Sequence, residues 1–190
     1  MGAYLSNPIG FAIDTLGSVY VMALLLRFLL QWLRADAYNP LSQFLIRITH
    51  PPLKILRRFV PSIGRIDTSS LLLAFLLLVG LQWVMLNLSG LSISPVALVV
   101  LAFGELVKLI FSLYTYAILL GAVLSWVSMG SYSPLSALIH TLTEPLLSIC
   151  RSILPNLGMV DLSPLLALFL LQLAKMMVLP PLGDLAMLLG

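Results

Sequence analysis

Charge and cysteine are the two things this sequence has least of. Only 9% of its 190 residues are Asp, Glu, Lys or Arg, against 61% hydrophobic, whereas a soluble domain is about half apolar and about a quarter charged. A chain of this length cannot hide so much apolar surface from water, so the composition excludes an ordinary soluble fold. Cys150 is the single cysteine, which excludes an internal disulfide and a thiolate metal site. No carboxylate or thiol spacing near His50 or His140 makes a metal set. A glycine-rich phosphate loop, a nucleophile motif and a catalytic carboxylate pair are also missing. These absences point away from an enzyme, and no cofactor is expected. The formal charge is +3, but the positive residues gather mostly in one loop between apolar runs, which points to lipid headgroups rather than nucleic acid.

What the sequence does contain is a duplication. Shifted by 94 positions, Trp32 falls on Trp126, Pro40 on Pro134, Ser42 on Ser136, Thr49 on Thr143, Pro51 on Pro145 and Arg57 on Arg151. The register continues without a gap through Pro61 and Pro155, Gly64 and Gly158, Asp67 and Asp161, and Ser69 and Ser163. A fixed period of this kind marks a tandem repeat, with copies over 1–94 and 95–190. Apolar runs over 9–33, 71–88, 104–127 and 163 to about 179 meet the requirement of about 20 residues for crossing a bilayer. The third carries an extra turn or two before it, and the fourth is expected to stop ahead of Pro180 and Pro181. Two spans squeezed into 95–128 would turn the copies into opposite orientations, an arrangement that the charge pattern opposes.

Between the spans of each copy lies a different pattern. Leu41, Phe44, Leu45 and Ile48 fall at i, i+3, i+4 and i+7, opposite Ser42, Gln43 and Arg47, which predicts an amphipathic helix. Pro51 and Pro52 are expected to end it near His50, since each removes a backbone donor and restricts the residue before it. A second short helix is expected to carry Leu53, Leu56 and Val60 on one face and Lys54, Arg57 and Arg58 on the other. Each piece is about 15 Å long, too short to span. In the second copy Leu135, Leu138, Ile139 and Leu142 repeat the stripe and Pro145 repeats the break. The expected fold is therefore an all-α membrane protein with four transmembrane helices, each copy being a span, two short amphipathic interfacial helices and a returning span. Arg34, Arg47, Lys54, Arg57, Arg58 and Arg65 lie between the first two spans, which sets that loop on the cytoplasmic side. With four spans the second loop faces the same way, both termini face outward, and the copies are parallel.

The candidate anion-binding residues are Arg47, Lys54, Arg57, Arg58 and Arg151, because guanidinium groups hold phosphate through paired hydrogen bonds. The alternative is a positive-inside anchor that sets topology alone. Asp14, Arg27, Glu105 and Lys108 are charges within the spans. Asp14 and Lys108 occupy equivalent positions, which suits a pair across the pseudo-twofold axis; a local Glu105–Lys108 pair is the competing arrangement. Arg27, whose counterpart is Gly121, is expected to snorkel to the interface. Asn39, Gln43, Thr49, Asp67 and Ser69 are expected to cap helix ends, satisfying backbone groups that lipid cannot.

The segments RFLLQWLRADAYNPLSQF, THPPLKILRRFVP and, after Gly64, IDTSS, with SWVS, SPLSALIHTLTEPLL and MVDLSP in the second copy, resemble the YggT family of small bacterial inner-membrane proteins. That family is related to the YlmG proteins of Gram-positive bacteria and plastids. The matching positions are Trp32, Asn39, Pro40, Gln43, Thr49, Pro51, Pro61, Asp67 and Ser69, then Trp126, Pro134, Thr143, Pro145, Pro155 and Asp161. Two departures stand out: Ile55 and Ile149 replace a proline that the family usually carries, and Ser152 replaces the second arginine of its pair. The resemblance implies an inner-membrane location and a part in osmotic or envelope stress resistance, ion homeostasis or membrane organisation, and in plastids nucleoid distribution and cofactor assembly. Two readings follow: a non-enzymatic organiser whose amphipathic loops bind anionic lipid, a homo-oligomer or membrane-protein partner, and an oligomeric channel or transporter subunit for ions or small osmolytes.

Overall fold

A backbone surrounded by hydrocarbon must satisfy its own N–H and C=O groups, and the helix is the local solution. The computed structural model describes residues 8–62, 66–127, 133–154 and 161–190, with Trp126 and Val127 by their backbone alone. Among them six helices run in the order α1 (Pro8–Trp32), α2 (Pro40–Leu56), α3 (Thr68–Leu88), α4 (Pro95–Val127), α5 (Pro134–Ile153) and α6 (Ser163–Leu189). Four of them, α1, α3, α4 and α6, are long and apolar enough to cross a membrane. Gly64, Arg65, Pro155, Gly158 and the Trp126 side chain, all named above, lie outside the described residues.

The spans pair within each copy, α1 on α3 and α4 on α6, and α3 packs on α4 across the join. Val21, Leu24 and Leu25 of α1, Ala74 and Leu78 of α3, and Ala102, Leu106 and Leu109 of α4 form one buried core, which Leu53 of α2 and Leu142 of α5 close at one end. α1 and α3 approach closely at Gly17, where a Cβ would stand 2.5 Å from Leu81 Cδ2 and displace that side chain. The outer surface stays apolar, as lipid requires: Phe11, Leu16, Trp83, Phe103, Phe169 and Met177 are exposed.

One contact fixes the relative sense of the copies. Asn39 Nδ2 donates to the Pro134 carbonyl at 2.7 Å, tying the start of α2 to the start of α5. At the opposite end the Ser94 hydroxyl donates to the Leu189 carbonyl, tying the start of α4 to the end of α6. Both amphipathic helices therefore lie at one end of the bundle and the copies are parallel, with α4 a single helix as expected. At 33 residues, α4 is about 50 Å long, beyond the roughly 30 Å that a hydrocarbon core needs.

The helix boundaries depart from expectation at every internal proline. In place of two short helices per copy there is one: α2 runs through Pro51 and Pro52, and α5 runs through Pro145. Likewise α6 passes Pro180 and Pro181 and continues to Leu189 instead of stopping near Leu179. A proline in a helix orphans the carbonyl four residues earlier, and Pro52 orphans that of Ile48. The Tyr20 hydroxyl of α1 donates to this same carbonyl over a long 3.3 Å. Packing holds the tail of α6 in place, since Leu182 covers Gly104 of α4 and Gly190 reaches Ala97.

Candidate functional site

The polar residues of this chain gather where α1, α2 and the start of α3 meet. Asn39 caps α2, its Oδ1 accepting from the Leu41 N–H at 2.9 Å, with Pro40 at the first helical position where no N–H is needed. Asn39→Ala removes both this cap and the bond to Pro134. It is expected to lower stability by about 1–2 kcal/mol, read as thermal unfolding in lipid nanodiscs, whereas Asn39→Asp keeps the cap acceptor and loses only the inter-copy donor.

Asp67 caps α3 in the same manner. Its carboxylate accepts from the Ser70 N–H at 3.3 Å and the Ser70 hydroxyl at 2.7 Å, and it pairs with Arg57. It is buried, and burial by itself would push its pKa up; the Ser70 hydroxyl and the Arg57 guanidinium outweigh that and hold it below the ordinary carboxylate value. Around it, the Ser69 hydroxyl donates to the Val60 carbonyl at 2.6 Å and the Thr68 hydroxyl to the Pro61 carbonyl at 2.7 Å. The turn between α2 and α3 is thus held by side chains from its far end.

Arg27 does not snorkel. It is 7% exposed, five residues inside the end of α1, and its Nη1 donates to Thr49 Oγ1 at 2.7 Å and to the Ile46 carbonyl at 3.3 Å. Thr49, expected as a cap, instead sits in the middle of α2, fully buried, and passes its own proton to the Leu45 carbonyl at 2.6 Å. Beside Arg27 lies a cavity of about 310 Å³ lined by Leu30, Gln31, Ala35, Ser42 and Leu45 among others. The end of α1 shapes it. Arg34 adopts φ 57, and the Ala35 N–H reaches back to the Leu30 carbonyl at 2.8 Å while the Arg34 N–H reaches Gln31 at 3.2 Å. This is a Schellman turn with arginine in the left-handed position that normally favours glycine.

Glu105 and Lys108 resolve locally. Lys108 Nζ donates to both carboxylate oxygens of Glu105 at 3.0 Å, so the pairing of Lys108 with Asp14 across the copies is not formed. Among the described residues Asp14 makes no ion pair.

The basic residues divide into two groups. Arg57 is committed to Asp67. Arg151 is committed to Glu144 through two bonds of 3.1 and 2.7 Å, with Asp161 at 3.6 Å; the Glu144 bonds in particular raise its pKa. Asp161 is held below the ordinary carboxylate value first by the hydrogen bonds from Ser163. Arg47, Lys54 and Arg58 are exposed and make no ion pair among the described residues.

The faces of α2 show what surrounds the free cations. Ser42, Leu45, Thr49 and Leu53 turn inward and are buried. The apolar stripe is split, Leu45 being buried while Leu41 and Phe44 are exposed, as are Ile55 and, just past the helix, Phe59. At 100° per residue these form an apolar strip beside a polar strip of Gln43, Arg47, His50 and Lys54. Gln43, expected as a cap, belongs to this exposed polar strip. The helix thus has three faces: one buried in the bundle, one exposed and apolar, and one exposed and polar.

The family model for CCB3/YggT matches residues 6–89 and 100–182. The chain belongs to the CCB3/YggT family. An uncharacterized protein of Pseudomonas aeruginosa is 41% identical over 170 residues, covering 88% of this chain and 86% of that protein. The uncharacterized protein YggT of Escherichia coli K12 is 37% identical over 171 residues, covering 90% and 88%, and a Vibrio alginolyticus protein named for the proC 3′ region is 42% identical over 172 residues, covering 89% and 92%. No solved structure matches the chain. Within this YggT-family chain, sequence reasoning found Asn39, Asp67 and Arg27 but missed Tyr20, Ser70 and Ser42 as members of the site. The recurrence of Ser42 at Ser136 was the available signal.

Proposed function

We propose that this YggT-family protein is a non-enzymatic membrane organiser of the bacterial inner membrane. Its α2 helix lies along the cytoplasmic interface and gathers anionic lipid, and the resistance to osmotic or envelope stress implied by the family resemblance follows from that local lipid composition. One observation carries the reading: α2 sets Arg47 and Lys54, with Arg58 just beyond its end, beside an exposed strip of Leu41, Phe44 and Ile55. An interfacial helix that buries an apolar face and keeps basic residues at headgroup level attracts anionic lipid at about 1 kcal/mol per cation near the surface. The channel reading has no comparable support, since Glu105 and Lys108 pair with each other and Arg27 is enclosed.

Trp32 is half-exposed at the end of α1 and serves as a reporter at the same end of the bundle. With Trp83 and Trp126 replaced by phenylalanine, brominated phosphatidylglycerol is expected to quench Trp32 more strongly than brominated phosphatidylcholine. Replacing Arg47, Lys54 and Arg58 together by alanine should make the two lipids equivalent. Equal quenching in the parent chain would refute lipid gathering by α2.

A further inference from the structure

The cavity at the end of α1 contains a charge that the protein itself does not balance. Arg27 is 7% exposed, and among the described residues no carboxylate lies within ion-pair distance of it. The nearest acid in electrostatic reach, Asp67, already holds Arg57 and Ser70. A guanidinium enclosed within a span is strongly disfavoured without a counter-charge. Two polar atoms at the cavity are also buried without a partner: Arg27 Nε and Ser42 Oγ. Both residues line the same space. The Thr49 and Ile46 contacts fix the guanidinium through Nη1 and leave the Nε–H unused. Ser42 stands in the first turn of α2, where the unpaired ends of the peptide dipoles favour an anion.

We propose that this cavity seats one phosphate group, held by the Arg27 Nε–H and the Ser42 hydroxyl. The phosphate is either the phosphodiester of an anionic lipid or a free phosphate ion. The rest of the lining, Leu30, Ala35 and Leu45 in particular, is apolar, which suits the glycerol and first methylenes of a lipid more than a hydrated ion. Arg27 lies five residues, or roughly 7.5 Å, before the end of α1, a depth at which a lipid phosphate reaches it from the interface. The second copy differs at the equivalent place. Gly121 replaces Arg27, and Ile139, the counterpart of Leu45, has its Cγ2 3.1 Å from where a Gly121 Cβ would stand. Ser136 Oγ is likewise buried and unpartnered there, but without a cation beside it. The seat is separate from the outer face of α2, and each can be lost without the other.

The test uses the full chain in phosphatidylcholine nanodiscs, titrated with phosphatidylglycerol and, separately, with inorganic phosphate. Native mass spectrometry counts bound lipid and calorimetry follows the ion. One phosphate-bearing ligand per chain is expected. Ala37→Leu, which adds bulk at an exposed residue of the cavity lining, should abolish it. Ser42→Ala should weaken it about tenfold, the worth of one hydrogen bond to a charged group, while unfolding at or above the parent's temperature, because the hydroxyl removed has no partner in the protein. The triple alanine variant at Arg47, Lys54 and Arg58 should retain the ligand. Binding of phosphatidylglycerol but not phosphate assigns the seat to lipid; binding of phosphate that phosphatidylglycerol does not displace assigns it to a soluble anion. Failure of both probes to bind overturns the proposal. So does binding unchanged in Ala37→Leu and Ser42→Ala, or binding lost only in the triple variant.

Discussion

Arg57→Ala is expected to destabilise the folded chain by about 3 kcal/mol at neutral pH, and to lose most of that penalty in acid. Removing one partner of a buried pair costs about 3–5 kcal/mol, and the 36% exposure of the Arg57 side chain puts the loss at the low end because solvent already screens the pair. Asp67 remains buried at 1% exposure with only Ser70 to hold its charge. In the parent its pKa is held below the ordinary carboxylate value despite burial. Its contribution is therefore present above about pH 4 and is lost as the pH falls through the lower folded value. Without Arg57 the effect of burial is opposed by Ser70 alone, the carboxyl pKa moves up, and protonation relieves the strain. Denaturant unfolding in nanodiscs should show the widest gap between parent and variant at pH 7 and a closing gap below about pH 4. A gap that does not change with pH would mean that Arg57 acts through packing and not through charge.

Arg27→Met is expected to have the opposite sign. Replacing an enclosed charge that lacks a counter-ion by an apolar side chain of similar length should raise stability by about 1–3 kcal/mol in ligand-free phosphatidylcholine. Thr49→Val, by contrast, withdraws the acceptor at 2.7 Å and leaves the guanidinium less well bonded, a loss of about 1.5–3 kcal/mol. In the double variant the Thr49→Val penalty should largely vanish, since the charge that needed the hydroxyl is gone. Thermal unfolding of the four chains measures all three quantities. If Arg27→Met is instead destabilised by several kcal/mol, Arg27 is a structural clasp between α1 and α2 and its charge is already balanced. A side chain that lowers stability where it stands has its use in what it binds, which ties this result to the phosphate seat.

The parts of this architecture legible in the sequence are those written locally or twice. The duplication shows because Trp32, Pro40, Thr49 and Asp67 recur at one fixed offset, and the spans show because lipid permits no polar face. Asn39 ahead of Pro40, and Asp67 ahead of Thr68, Ser69 and Ser70, read as caps because a short polar side chain can reach the backbone N–H two or three residues on. The continuous helices through Pro51, Pro52, Pro180 and Pro181 were not legible. The rule that proline ends a helix assumes that the orphaned carbonyl finds no other donor, and Tyr20, 28 residues away, supplies one to Ile48. Arg27 was misjudged for the same reason. Its depth along α1 allowed it to reach the interface, and only the fold brings Thr49, 22 residues on, close enough to hold it inside. The inward face of α2 is not legible from hydrophobicity, since the bundle buries Ser42 and Thr49 and leaves Phe44 exposed.

The pairing of Arg151 with Glu144 and Asp161 gives the molecule a direction within the plane of the membrane. On one flank α2 presents Arg47, Lys54 and Arg58 uncompensated; on the other α5 presents a single arginine between two acids. A chain with two like halves would attract its surroundings equally from both sides. This one has a positive flank and a weakly negative one at the same end of the bundle. The unequal copies thus supply an in-plane polarity that a symmetric dimer of single repeats could not have.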